Sequence, residues 1–273
     1  MPDWGMYDGG RHEVTKDAAG SSGALVATAS ATVSTKGAWT QMLAATAIES
    51  SWMTVHLSAL SATARYLVDI GIGAAGAEQT VIANIPVNGN STNASLMISL
   101  PLAIPPGVRV AYRCQCSVAS GTLRAQVVLS QGGMNQAPPL GRATTWGPSL
   151  GTTRGALVDS GATANTKGAW SQITATTEHS IRWLCVCFMH AAITVAGIHV
   201  LTDIGIGAAG AEGIVVPDLF MYYTTSAETV LTGAICIPVN IPAGVRIAAR
   251  MQANITNATA TDTQFDVILI GVG

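Results

Sequence analysis

Apolar and polar residues alternate along much of this chain, and the alternation predicts strands. In Val108-x-Val110-x-Tyr112-x-Cys114-x-Cys116 the apolar side chains share one face, while Arg109, Ala111, Arg113 and Gln115 share the other. A later segment repeats the arrangement, with Val245, Ile247, Ala249, Met251 and Ala253 against Arg246, Ala248, Arg250 and Gln252. Further strands are expected at residues 24–33, 39–46, 51–59, 65–72, 79–86, 94–103 and 122–130, separated by turn residues such as Pro105-Pro-Gly107. No window sustains a helical period. Eight short strands of this kind predict an all-β fold, a jelly-roll-like β-sandwich.

The pattern occurs twice. Asp69-Ile-Gly-Ile-Gly-Ala-Ala-Gly-Ala-Glu78 returns unchanged from Asp203 to Glu212. Upstream of the copies stand Thr35-Lys-Gly-Ala-Trp39 and Thr166-Lys-Gly-Ala-Trp170, and downstream Ile104-Pro-Pro-Gly-Val-Arg109 and Ile241-Pro-Ala-Gly-Val-Arg246. The separation between copies lengthens by three residues from each word to the next, which places small insertions in loops. At the last strand Val127-Val-Leu129 aligns with Val267-Ile-Leu269. The organisation is therefore an extended N-terminal arm (1–20), a sandwich (21–130), a Pro/Gly-rich linker (131–153) and a homologous sandwich (154–273). Arm and linker each carry a Trp-Gly pair, at Trp4 and Trp146, and an indole in a polar segment predicts an anchor onto a sandwich or a neighbouring subunit, with a sugar-stacking platform as the alternative.

Charged residues make up only 10% of the chain, against about 25% in ordinary soluble domains, and there are three lysines. Such a surface is expected to be covered by other subunits, with a neutral Thr/Ser-rich β surface of a secreted protein as the second reading. The chain is read as a homo-oligomer, a trimer in preference, in which two sandwiches per chain give six pseudo-equivalent units. Trp52, Thr54, His56 and Ser58 become Trp183, Cys185, Cys187 and Met189 in the second copy, so that drier face is expected to carry more of the subunit contact. A net charge of −2 argues against nucleic acid. The start of the chain has no secretory pattern, so synthesis in the cytoplasm is expected. The apolar window Ile181 to Leu201 carries Arg182, His190 and His199 and reads as two strands and a turn, without membrane insertion.

Gly71-Ile-Gly73-Ala-Ala-Gly76 and Gly205-Ile-Gly207-Ala-Ala-Gly210 match a dinucleotide fingerprint, but that motif needs a helix at its third glycine. Here strands ended by Pro86 and Pro217 follow instead, so the glycines are read as a wide turn and no cofactor is expected. Asp69, Glu78, Arg109 and Arg113 recur as Asp203, Glu212, Arg246 and Arg250. In so charge-poor a chain they are expected to pair, fixing loops within a domain, with subunit contact and ligand binding as the alternatives. The five cysteines read as small buried hydrophobes, with an inter-subunit disulfide as the second reading and metal last. No catalytic constellation recurs in both halves.

The words Thr-Lys-Gly-Ala-Trp, Asp-Ile-Gly-Ile-Gly-Ala-Ala-Gly-Ala-Glu and Ile-Pro-x-Gly-Val-Arg resemble a β-sandwich module of accessory virion proteins of tailed bacteriophages, over residues 21–130 and 154–273. The resemblance implies a non-enzymatic virion component, a head decoration (cement) or neck and collar protein, meeting major capsid, neck or tail proteins. The competing expectation is a carbohydrate- or receptor-binding fibre head that takes a host-surface glycan.

Overall fold

The structure is a computed structural model that describes residues 11–15, 25–59, 64–89, 95–131, 141–193, 197–223, 232–256 and 263–273. All regular elements among them are strands. The first half contains β1 (His12–Val14), β2 (Leu25–Thr28), β3 (Thr40–Leu43), β4 (Trp52–Ala59) and β5 (Ala64–Ile72). It continues with β6 (Gln79–Gly89), β7 (Ser95–Leu100), β8 (Val110–Cys116) and β9 (Thr122–Ser130). The second half contains β10 (Ala143–Trp146), β11 (Ala156–Asp159), β12 (Ser171–Thr174), β13 (Ile181–Ile193) and β14 (Ile198–Ile206). It ends with β15 (Gly213–Tyr223), β16 (Thr232–Ile241), β17 (Ile247–Ala253) and β18 (Thr263–Val272).

Each half is a sandwich of two antiparallel sheets. In the first, one sheet runs β1-β9-β4-β7 with β2 also on β9, and the other runs β3-β8-β5-β6. In the second, the sheets run β10-β18-β13-β16, with β11 also on β18, and β12-β17-β14-β15. Leaving aside β1 and β10, this is jelly-roll strand order, written twice. The predicted alternation selects the inner faces. Met53, Val55 and Leu57 of β4 and Leu123, Ala125, Val127 and Leu129 of β9 are fully buried, as are Val110, Cys114, Ile247 and Met251. Each such large aliphatic side chain contributes about 1.5–3 kcal/mol on burial, before ordering costs are subtracted.

Several details depart from the sequence reading. The segments 1–20 and 131–153, read as arm and linker, each supply a strand: β1 pairs with β9 and β10 with β18. Pro86 and Pro217 do not end their strands, because β6 and β15 run on through them. Both are edge strands, where a missing N–H leaves no ladder bond unmade. Val127 lies opposite Val55 and Leu269 opposite Val186, so the counterpart of Val127 is Leu269, two residues beyond the Val267 of the sequence alignment. A two-residue slip keeps every side chain on its face and is invisible to the alternation.

The two sandwiches pack on each other within the chain. Leu184, Val186 and Phe188 of β13 and Val267 and Leu269 of β18 fill the second core. The alternate residues Cys185, Cys187, Met189, Ile268, Ile270 and Val272 point out of it and join one continuous apolar cluster with the first sandwich. There β6 faces β10, β13 and β16, and β7 faces β16. Trp183 stands edge-on to Trp52 with ring centroids 5.4 Å apart and donates from Nε1 to the Ser99 carbonyl at 3.1 Å. The face expected to meet another subunit is thus covered by the sister sandwich. Cys185 forms a disulfide with Cys236, its cross-strand partner, so the linkage is within the chain and not between subunits. At the same place in the first sandwich, Thr54 and Ser99 hydrogen-bond through their hydroxyls at 2.8 Å. Cys114, Cys116 and Cys187 are free and buried.

Candidate functional site

The charges shared by both repeats build a framework around a bulge. The ladder between β5 and β6 shifts register between Val68 and Ile70, and Asn84 opposite takes a left-handed φ of 55°. Asp69, 4% exposed, fills the gap: its Oδ1 accepts the Asn84 N–H at 2.9 Å and the Lys36 ammonium at 2.7 Å. Its Oδ2 accepts from Arg113 Nε at 2.9 Å. Lys36 also donates to the Leu67 carbonyl. Burial lowers the pKa of Lys36, opposed by Asp69 beside it. The guanidinium of Arg113 lies 4.5 Å over the Trp39 ring, a cation–π contact. That ring rests on Gly71, where a Cβ would stand 2.7 Å from it, so the repeated word requires glycine there. Gly73 and Gly76, at φ 116° and 80°, make the wide turn, and the helix of a dinucleotide site does not form. Arg109 closes the turn by donating to Glu78 and, from Nε, to Gln41 at 3.0 Å.

The second sandwich repeats this geometry. Asp203 accepts from Lys167 at 2.8 Å, from the Asp218 N–H at 3.0 Å and from Arg250 at 2.9 Å. Arg250 lies 4.5 Å over Trp170, and Arg246 donates to Glu212 and Gln172. Asp218 replaces Asn84 and adds a second, exposed carboxylate for Lys167 at 2.8 Å. Burial pushes the carboxyls of Asp203, Glu78 and Glu212 up, but the bonds from cations and backbone N–H groups outweigh it and hold all three below the usual range. All eight predicted charged residues therefore pair inside their own sandwich. They hold loops in place.

Trp146 is also an anchor. It is buried, donates from Nε1 to Glu178 at 2.9 Å and lies against His179 and over Gly271, tying β10 to the second sandwich. Trp4 lies outside the described residues. Cys185 and Cys187 sit at the seam between sandwiches, together with Asp266, which pairs with Arg154 at 3.2 Å. Burial there raises the pKa of Asp266. An open groove of about 400 Å3 follows the seam, lined in part by Val81, Leu102, Ile104, Arg142 and Thr144.

With the shared charges committed internally, the outer sheet faces are what the molecule presents. On the first sandwich, Leu67 pairs with Pro86 and Arg65 with Asn88; Leu67, Pro86 and Asn88 are buried and Arg65 half-buried. The corresponding block on the second sandwich is Leu201 with Phe220 and His199 with Tyr222. It is open: Phe220 is 56% and Tyr222 47% exposed, and both rings stand edge-on to the His199 imidazole. Sequence reasoning missed this aromatic face because it stopped the strand at Pro217. The alternation Leu219-Phe220-Met221-Tyr222, read through the proline, carried the signal.

No family model matches the chain, and no curated protein does. Among solved structures, PNGF-II is similar at 7% identity and a TM-score of 0.40, over 91% of this chain and 65% of that one. This chain thus spans under two thirds of that protein. The N-terminal CBM22-1–CBM22-2 tandem domain of Paenibacillus barcinonensis Xyn10C is similar at 13% identity and a TM-score of 0.27, over 97% of this chain and 91% of that one. At these values neither likeness bears on function.

Proposed function

We propose that this chain is a non-enzymatic structural component of a bacteriophage virion, a head decoration or neck and collar protein that works by sheet-face contacts. The observation that carries the reading is how the repeated residues are used. Lys36, Asp69, Glu78, Arg109 and Arg113, with their counterparts, all bind one another within a sandwich, while large apolar side chains stand on outer faces. A protein built this way presents shape and apolar surface to neighbours. The resemblance of its repeated words to accessory virion modules supplies the setting.

The test is mass spectrometry of purified particles of the phage that encodes the chain, followed by add-back to particles lacking it. Stoichiometric presence and co-sedimentation after add-back are expected; absence from particles overturns the assignment. A second reading, a carbohydrate- or receptor-binding fibre head, is favoured by the exposed rings of Phe220 and Tyr222, which offer a stacking surface. Under that reading a glycan array gives hits that Phe220→Ala abolishes.

A further inference from the structure

We infer that the aromatic outer face of β14 and β15 is a head-to-tail docking site for the outer face of β4 and β7 in a second copy of this chain. The contact is the one already made inside the chain, repeated between chains. Within one chain the outer face of the first sandwich around Leu67 and Pro86 lies under β13, β16 and β18 of the second. Leu201, Phe220, His199 and Tyr222 stand at the same ladder positions on the second sandwich, and among the described residues Phe220, His199 and Tyr222 are left exposed. The complementary surface exists in duplicate as well. The covering residues Cys185, Cys187 and Ala234 correspond to Thr54, His56 and Met97, which pair across β4 and β7 in the same register. Met97 is 67% exposed and His56 is exposed. Each chain thus carries one used and one unused copy of both halves of a single interface.

The two copies have diverged as a permanent and a separable contact would. The internal one is sulfur-rich and aliphatic. The free one sets two rings and an imidazole against Met97, Thr54 and His56, the aromatic and partly polar mixture of subunit interfaces. The contact is heterologous, since different faces meet, so its repetition gives either a ring or an open polymer. Trp52 and Trp183 occupy equivalent positions, yet their rings are only 5.4 Å apart. Two equivalent residues this close limit the rise from one sandwich to the next, which favours a closed ring over an extended filament.

This inference rests on the reading of the chain as an assembly subunit. Its test uses the pure chain without virions, so its failure leaves the virion assignment standing. Phe220→Arg disables one face and Met97→Arg the other, and both positions are exposed enough that the fold is kept, as thermal melts verify. Sedimentation velocity of the wild type is expected to show a discrete oligomer and each variant alone a monomer. An equimolar mixture of the two variants retains one intact pairing and is expected to form a dimer. A monomeric wild type, a mixture that stays monomeric, or variants that assemble like the wild type would overturn the proposal. So would glycan binding at Phe220 by a chain that remains monomeric.

Discussion

Pro86 and Phe220 hold the same position in the two sandwiches, each opposite a leucine of the neighbouring strand, yet Pro86 is buried and Phe220 is 56% exposed. The difference comes from one sandwich lying on the other. Where its sister covers the first sandwich, the block is compact, with Pro86 and Asn88. The second keeps rings at both places. Duplication followed by packing in one direction leaves a chain with two unlike ends.

Asp203 is the junction of its framework, and its loss should be costly. Asp203→Asn leaves Lys167 and Arg250, both mostly buried, without their central carboxylate. A loss of about 3 kcal/mol in urea unfolding is expected, as for other buried pairs broken on one side. Asp218→Asn removes a carboxylate whose side chain is 59% exposed and should cost less than about 1 kcal/mol. Equal losses would show that the two carboxylates share the work.

The same groups set the acid limit. The folded state holds Asp203 below its ordinary value of 3.8, and Glu78 and Glu212 below 4.5. Each depressed carboxyl contributes stability that is present above its ordinary value and lost as pH falls through its folded value. Through these three groups, urea midpoints should fall as pH drops below about pH 4. Asp266, raised by burial, acts in the opposite sense, its contribution falling as pH rises. Asp266→Asn should make the acid loss steeper, and an unchanged profile would exclude this assignment of signs.

The disulfide offers a redox test. Cys185 and Cys236 close a loop of sequence separation 51, which the chain-entropy argument values at about 4 kcal/mol. Cys236→Ser should lower stability by that amount under oxidising conditions and by much less in reductant, where the wild type lacks the bond too. Identical melting of wild type and variant in oxidising buffer would mean the thiols remain unpaired.

The alternation at Val110, Cys114, Ile247 and Met251 was legible because period-two burial leaves its mark on every strand. The repeated words were legible because the geometry around Asp69 and Gly71 admits few substitutes. The paired charges followed from scarcity, but Lys36 as a third member needed the bulge that brings it to Asp69. Strands β1 and β10 were hidden because they are three or four residues long and pair with strands more than a hundred residues away. The Cys185–Cys236 bond depends on cross-strand register, which local patterns do not encode. Which outer face is covered depends on how the chain between the halves lays one sandwich on the other. Hence the Cys187 face looked like a subunit contact and the Phe220 face went unnoticed.

Hydroxyl-radical footprinting of the wild-type chain, dilute and then in its assembled state, tests the central claim most directly, because Met97, Phe220 and Tyr222 are reactive side chains on the two faces. Assembly should protect all three together, while Leu150, exposed in the loop whose carbonyl accepts from Gln115, keeps its labelling rate. Unchanged labelling of Phe220 and Tyr222 on assembly would contradict the account.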